Sequence, residues 1–241
     1  MTKAKTHKIK RIPYGKSDFE SIIKQQDYYV DKTHFIENLE LTSFIFLIRP
    51  RRFGKSLFLS MLHNYYDINK KEQFKELFKD THILKNPTEE KNSYMVLTFN
   101  FAEINPEINE VEESFNTYCN IKIDDFIDRY AKFIDKDLIT KIKEYKTPDN
   151  KLKYLSTKLK TLGKKLYIMI DEYDNFANTI ITRYGQKDYE KITHHAGFYR
   201  YFFNVLKGMT STSLERLFIT GVSPITMDDV TSGFNIGDNR R

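Results

Sequence analysis

The chain has 241 residues, 40% of them hydrophobic and 30% charged, a balance that suits one folded α/β domain and excludes a disordered chain or a second full domain. Its formal charge of +6 equals the contribution of Lys3, Lys5, Lys8, Lys10, Arg11 and Lys16 within an acid-free stretch, residues 1–17, so the remaining body is formally neutral. That stretch reads as a basic, flexible tail with only weak support for nucleic-acid binding.

No apolar run approaches the roughly 20 residues needed to span a bilayer, and no secretory apolar segment follows Met1. A membrane partner has no support. The single cysteine, Cys119, permits no intrachain disulfide and fits a reducing cytoplasm; it reads as a packing residue. No histidine lies in an HxxxH or HExxH frame, so no protein-bound zinc is expected.

In chain order, Asp18–Ile23 reads as a short helix, Tyr28–Thr33 as a loop or short strand, and His34–Leu39 as another helix. Tyr29 is either a packing aromatic or a ring for stacking a base near the first core strand. Phe44–Ile48 is a run of β-favouring residues that stops at Arg49-Pro50. The chain re-emerges at Gly54-Lys55-Ser56 into a segment whose apolar residues Leu57, Leu59, Met61, Leu62 and Tyr65 recur at helical spacing. Strand, loop and helix in this order suit phosphate, because a helix N-terminus offers unpaired N–H groups and partial positive charge. Gly54 permits close approach of the backbone, Lys55 reaches the outer phosphates, and Ser56 offers a hydroxyl to Mg²⁺. The usual pattern is G-x-x-x-x-G-K-[ST], and Arg49 stands at its first glycine.

After a polar stretch, 69–91, with a helix near Gln73–Phe78, Tyr94–Phe101 forms a second strand whose continuous apolar character suits burial on both faces. Helices are expected over Glu110–Ile134 and Lys151–Leu162, the latter ending at Gly163. Leu166–Glu172 is then a strand ending in acid, as a phosphate-binding loop requires. There Asp171 would orient the metal and Glu172 would polarise the attacking water. A helix opens at Tyr173–Ala177, a long helix spans about Ile192–Met209, and Arg216–Gly221 is a fourth strand with Thr220 at its end. Alternating strands and helices predict a mostly parallel central sheet with helices on both faces.

The segments YYVDKTHFI (Tyr28–Ile36), RPRRFGKS (Arg49–Ser56) and IMIDEYD (Ile168–Asp174) together resemble the bacterial AAA-ATPase-like family. This is a branch of the P-loop NTPases with an additional strand between the two motif strands. The resemblance runs from about Ile12 to the end and implies a three-layer α/β sandwich over residues 18–241. In that family R-P-R-R-F-G-K-[ST] commonly replaces the first loop glycine, so Arg49 is expected.

Carried onto this sequence, the resemblance implies ATP as ligand, held by Arg51, Arg52, Phe53, Gly54, Lys55, Ser56 and Leu57. Ser56 and Asp171 would serve Mg²⁺, and Asp171-Glu172 would be the Walker B pair. Glu172, Lys55 and Thr220 would be catalytic, with Thr220 similar to a γ-phosphate sensor and Ser223 as its alternative. Members often continue into a lid and a C-terminal nuclease-like domain. This chain ends at Gly237–Arg241, and so reads as shortened before both, with Arg51, Arg52, Arg240 and Arg241 as undistinguished sources of a further cation. The implied function is an ATP-hydrolysing module. The alternative is a nucleotide-binding interaction module or remnant without turnover, with a protein partner or a second copy of the chain left open.

Overall fold

The computed structural model describes residues 10–224, 226, 229 and 230 and the backbone of 238–240. The element order is α1 (Phe19–Lys24), α2 (Ile36–Glu40), β1 (Phe44–Ile48), α3 (Lys55–Tyr66), α4 (Phe74–Leu77), β2 (Tyr94–Asn100), α5 (Val111–Arg129) and α6 (Lys136–Glu144). It continues with α7 (Pro148–Thr161), β3 (Lys165–Asp171), α8 (Asn175–Tyr184), α9 (Gln186–Thr193), α10 (Phe198–Met209), β4 (Leu214–Gly221) and β5 (Asp238–Arg240). The sheet order is β2-β3-β4-β1-β5, and the pairings are parallel. β4 thus lies between the strand that enters the Gly-Lys-Ser loop and the strand that ends in acid.

Strand periodicity sorts the core into two layers. From β3, Leu166, Ile168 and Ile170 face one cluster with α5, α7 and α10, while Tyr167 and Met169 face the other with α3 and α4. β4 divides in the same way, Leu217 and Ile219 against Phe218. Burial on both faces explains why these strands read as unbroken apolar runs. Cys119 sits fully buried in the first layer, which pushes its thiol pKa well above the ordinary value and fits a packing role.

The outer edge of β2 is blunted by α5 and the turn after it. Val96 N–H donates to the Tyr130 hydroxyl at 2.8 Å, its carbonyl accepts from Arg129 at 3.1 Å, and Asn100 N–H donates to the Tyr118 hydroxyl at 2.6 Å. Side chains thereby satisfy backbone groups that would otherwise offer an open edge for pairing.

Three expectations need correction. The long helix over Ile192–Met209 is two helices, α9 and α10, separated at His194–Gly197. A Cβ on Gly197 would lie 2.3 Å from the Ile192 carbonyl oxygen, and His195 takes a left-handed φ of 48°, so the chain turns where apolar spacing alone suggested continuation. The helix expected to reach Ile134 stops at Arg129 and is followed by a tight turn, Ala131–Phe133. Helix α6 was not anticipated; Asp135 caps it by accepting from Leu138 N–H. Of the basic segment, Arg11 and Lys16 reach the Asp27 carboxylate at 3.2 and 2.6 Å, and Tyr28 N–H donates to the Arg11 carbonyl. Lys3, Lys5 and Lys8 lie outside the described residues.

The segment before β1 is fastened to the sheet by Arg216 of β4. Its guanidinium pairs with Glu90 (2.6 Å to Oε1) and donates to the carbonyls of Glu40 and Thr42, both at 3.0 Å. Removing Arg216 strands the half-buried Glu90 carboxylate and leaves the two backbone carbonyls without their donor. Arg216→Ala is expected to lower stability by about 3 kcal/mol or more, measured by urea unfolding. A loss within 0.5 kcal/mol, the usual scatter of surface substitutions, would show that the fastening is unimportant.

Candidate functional site

The C-terminal ends of the parallel strands converge on one edge, where α/β sheets place their ligands. Register sets Leu47 beside Thr220, Ile48 beside Gly221 and Asn100 beside Asp171. From Ile48 the chain enters the loop Arg49–Phe53 and begins α3 at Lys55, with Gly54 as a left-handed N-cap at φ 76°. Arg52 is also left-handed, at φ 68°, whereas Arg49 is not. A side chain is tolerated at the usual first-glycine position because the backbone there asks nothing special of it.

Phe58 N–H closes the first helical bond to the Gly54 carbonyl at 2.9 Å. The N–H groups of Lys55, Ser56 and Leu57 precede that bond and find no acceptor within the helix. The first turn therefore presents donors and dipole toward the strand ends. Lys55 is 95% buried, its relative exposure being 5%. Its ammonium donates to the carbonyls of Arg49 and Pro50 at 3.2 and 3.3 Å and lies 3.6 Å from Glu172 Oε1.

Across the cleft, Asp171 ends β3 at 5% exposure. Its Oδ1 accepts from the Thr220 hydroxyl, a short bond, and from Glu172 N–H at 3.1 Å. Its other oxygen has no hydrogen-bond partner among the described residues. Glu172 is held at φ 52°, a left-handed conformation that is costly for a non-glycine residue and that concentrates at functional sites. The turn is braced from behind. Tyr173 N–H donates to the Thr220 carbonyl at 3.0 Å and its hydroxyl to the Ser223 carbonyl at 2.5 Å, while Asp174 accepts from the N–H groups of Val222 and Ser223. A Cβ on Gly221 would fall 2.3 Å from the Tyr173 ring, so only glycine lets these two strand ends close.

The structure thus brings together Lys55, Glu172, Asp171 and Thr220 at one edge. Arg51, Arg52 and Phe53 are exposed along the loop, Ser56 is half-buried on the first turn of α3, and Leu57 packs at the margin of the second core layer. Thr220 is fully buried and spends its hydroxyl on Asp171; Ser223 is engaged through its backbone. Arg240 is described only as backbone paired with Leu47, and Arg241 lies outside the described residues. Tyr29 packs edge-on against Phe19 at 5.2 Å, and burial raises its phenol pKa. Two clefts flank the loop, one of 320 Å³ containing Arg51, Glu172, Asn175 and Asn178, the other of 550 Å³ containing Lys32, Phe35, Asn38 and Phe53. Sequence reading assigned nothing to Lys32 or Phe35, although both lie in the YYVDKTHFI segment.

A parallel sheet with a strand between the lysine loop and the acidic strand end defines a P-loop NTPase-like α/β protein. The family model described as "Predicted AAA-ATPase" matches residues 13–231, and the chain belongs to that family. It is also similar to "Uncharacterized protein in vnfD 5'region" of Azotobacter chroococcum mcd 1, at 51% identity over 55 residues. That match covers 22% of this chain and 11% of that protein. No solved structure matches. Among the described residues, no helix is long and apolar enough to cross a membrane.

The loop geometry predicts opposite effects for two similar substitutions. Arg52→Gly relieves a left-handed backbone cost of about 1–2 kcal/mol, only partly offset by about 0.4–1 kcal/mol of added freedom in the unfolded chain. It should stabilise the protein, while Arg49→Gly, with no such relief, should lose about 0.4–1 kcal/mol. Equal signs in urea unfolding would refute the backbone assignment.

Proposed function

We propose that the chain is an ATP-binding, Mg²⁺-dependent ATPase module. The observation that carries this reading is the 3.6 Å approach of the Lys55 ammonium to Glu172, which joins the loop to the acidic strand end. Family membership supports nucleotide as the ligand class, and ATP as the nucleotide rests on the resemblance of the loop.

The donor set fits these groups. The open N–H groups at the start of α3 and the Lys55 ammonium suit phosphate oxygens. The Ser56 hydroxyl and the unengaged Asp171 oxygen suit a hard cation that keeps most of its water. Bound there, Mg²⁺ would offset charge on the outer phosphates. Glu172 now supplies the negative partner of Lys55. Phosphate arriving at the loop would take over that partnership and leave Glu172 free to orient water and accept its proton. Thr220 acts through Asp171, fixing one carboxylate oxygen so that the other faces the cation, which makes it a positioning residue.

Binding without turnover is the competing reading, and the same ion pair favours it: a glutamate that stays neutralised by Lys55 is a poor base. Two variants separate the readings. Lys55→Ala should weaken ATP binding roughly a hundredfold, seen by calorimetry. Glu172→Gln should retain ATP and lose roughly a hundredfold or more in hydrolysis, followed by phosphate release. Unchanged affinity in the first variant would remove the loop assignment. Wild-type turnover no faster than Glu172→Gln would favour binding alone.

A further inference from the structure

The segment ahead of β1 places an unused cation against the phosphate loop. Lys32 precedes a helical turn at Thr33–Phe35, and its ammonium lies 3.6 Å from where a Cβ on Gly54 would stand. Lys32 is half-buried, and among the described residues its ammonium has neither an ion pair nor a hydrogen bond. The adjacent carboxylate does not serve it: Asp31 accepts from Thr33 N–H at 2.9 Å and from His82 N–H at 2.7 Å. A half-buried lysine held this close to a glycine, with no acid bonded to it among the described residues, has its charge free to meet a ligand.

Its surroundings indicate which partner. Lys32 lines the 550 Å³ cleft together with Phe35, Asn38, Phe53 and Lys55. This cleft shares no lining residue with the one that contains Glu172. Phe35 and Phe53 expose 46% and 62% of their surface there, an uncommon state for large apolar rings. An anion with an apolar, flat body matches a cleft lined by three cationic residues, Lys32, Arg49 and Lys55, and two exposed rings.

We propose that Lys32 is a phosphate-binding residue of the nucleotide site, acting on the phosphates nearer the nucleoside, with the base toward Phe35 and Phe53. This deepens the ATPase reading and rests on it. Lys55, next to Glu172, serves the terminal phosphate side, and Lys32, which does not line the cleft containing Glu172, serves the phosphates that ATP and ADP share. The segment before β1, fastened from below by Arg216, thereby belongs to the site.

The test measures ATP and ADP affinity by calorimetry for the wild type, Lys32→Met and Lys32→Arg, with thermal unfolding of each in the absence of nucleotide. Loss of one charge-assisted contact predicts that Lys32→Met weakens both nucleotides by the same roughly tenfold to hundredfold factor. Lys32→Arg is expected to restore most of the affinity, and nucleotide-free unfolding to stay unchanged because the ammonium has no partner in the folded chain. Unchanged affinity in Lys32→Met, a loss confined to ATP, or a lowered unfolding temperature without nucleotide would each overturn the assignment. If the wild type binds neither nucleotide, the ATPase reading itself falls and takes this one with it; if it binds both and Lys32→Met matches it, only this inference fails.

Discussion

The meeting of Lys55 with Glu172 depends on a constraint set deep in the sheet. The loop and the acidic turn are carried by strands that do not touch, because β4 separates them. What closes the gap is the end of β4. Gly221 has no side chain to hold Tyr173 away, its carbonyl accepts from Arg49 N–H at 3.1 Å, and the Thr220 hydroxyl ties down Asp171. A buried lysine without this arrangement would carry an uncompensated charge. With it, two loop carbonyls and one carboxylate surround the ammonium.

The strain in the site has the same origin. Glu172 and Arg52 both adopt left-handed backbone conformations on non-glycine residues. Each costs on the order of 1–2 kcal/mol, which the surrounding hydrogen bonds must over-determine. The bracing of Tyr173 by Tyr199 and of Asp174 by two backbone N–H groups does this for the acidic turn. Among the described residues, the loop has no comparable brace on its outer side, where Arg51, Arg52 and Phe53 are exposed.

Most of the sheet was legible because its signals are local. Phe44–Ile48, Tyr94–Asn100 and Leu166–Asp171 are apolar runs bounded by polar breaks, and burial on both faces demands that pattern. The break at His194–Gly197 was not legible, since it turns on the proximity of Gly197 to the Ile192 backbone, a contact that apolar spacing does not encode. Lys55, Asp171 and Glu172 were legible as site candidates from strand-end chemistry. That β4 brings the Thr220 hydroxyl to Asp171 was not legible; the resemblance implied only a γ-phosphate sensor at Thr220. Lys32 was missed because its nearness to Gly54 is a tertiary fact: 22 positions separate the two, and no periodicity links them.

The central claim is that phosphate is held where β1 turns into α3, with a divalent cation between Ser56 and Asp171. A crystal structure of the chain grown with Mg²⁺ and a nonhydrolysable ATP analogue tests it most directly. The account predicts phosphate oxygens on the N–H groups of Lys55, Ser56 and Leu57, the Lys55 ammonium transferred from Glu172 to phosphate, and the metal at Ser56 and Asp171. Analogue bound elsewhere on the sheet, with Lys55 still paired to Glu172, would contradict it.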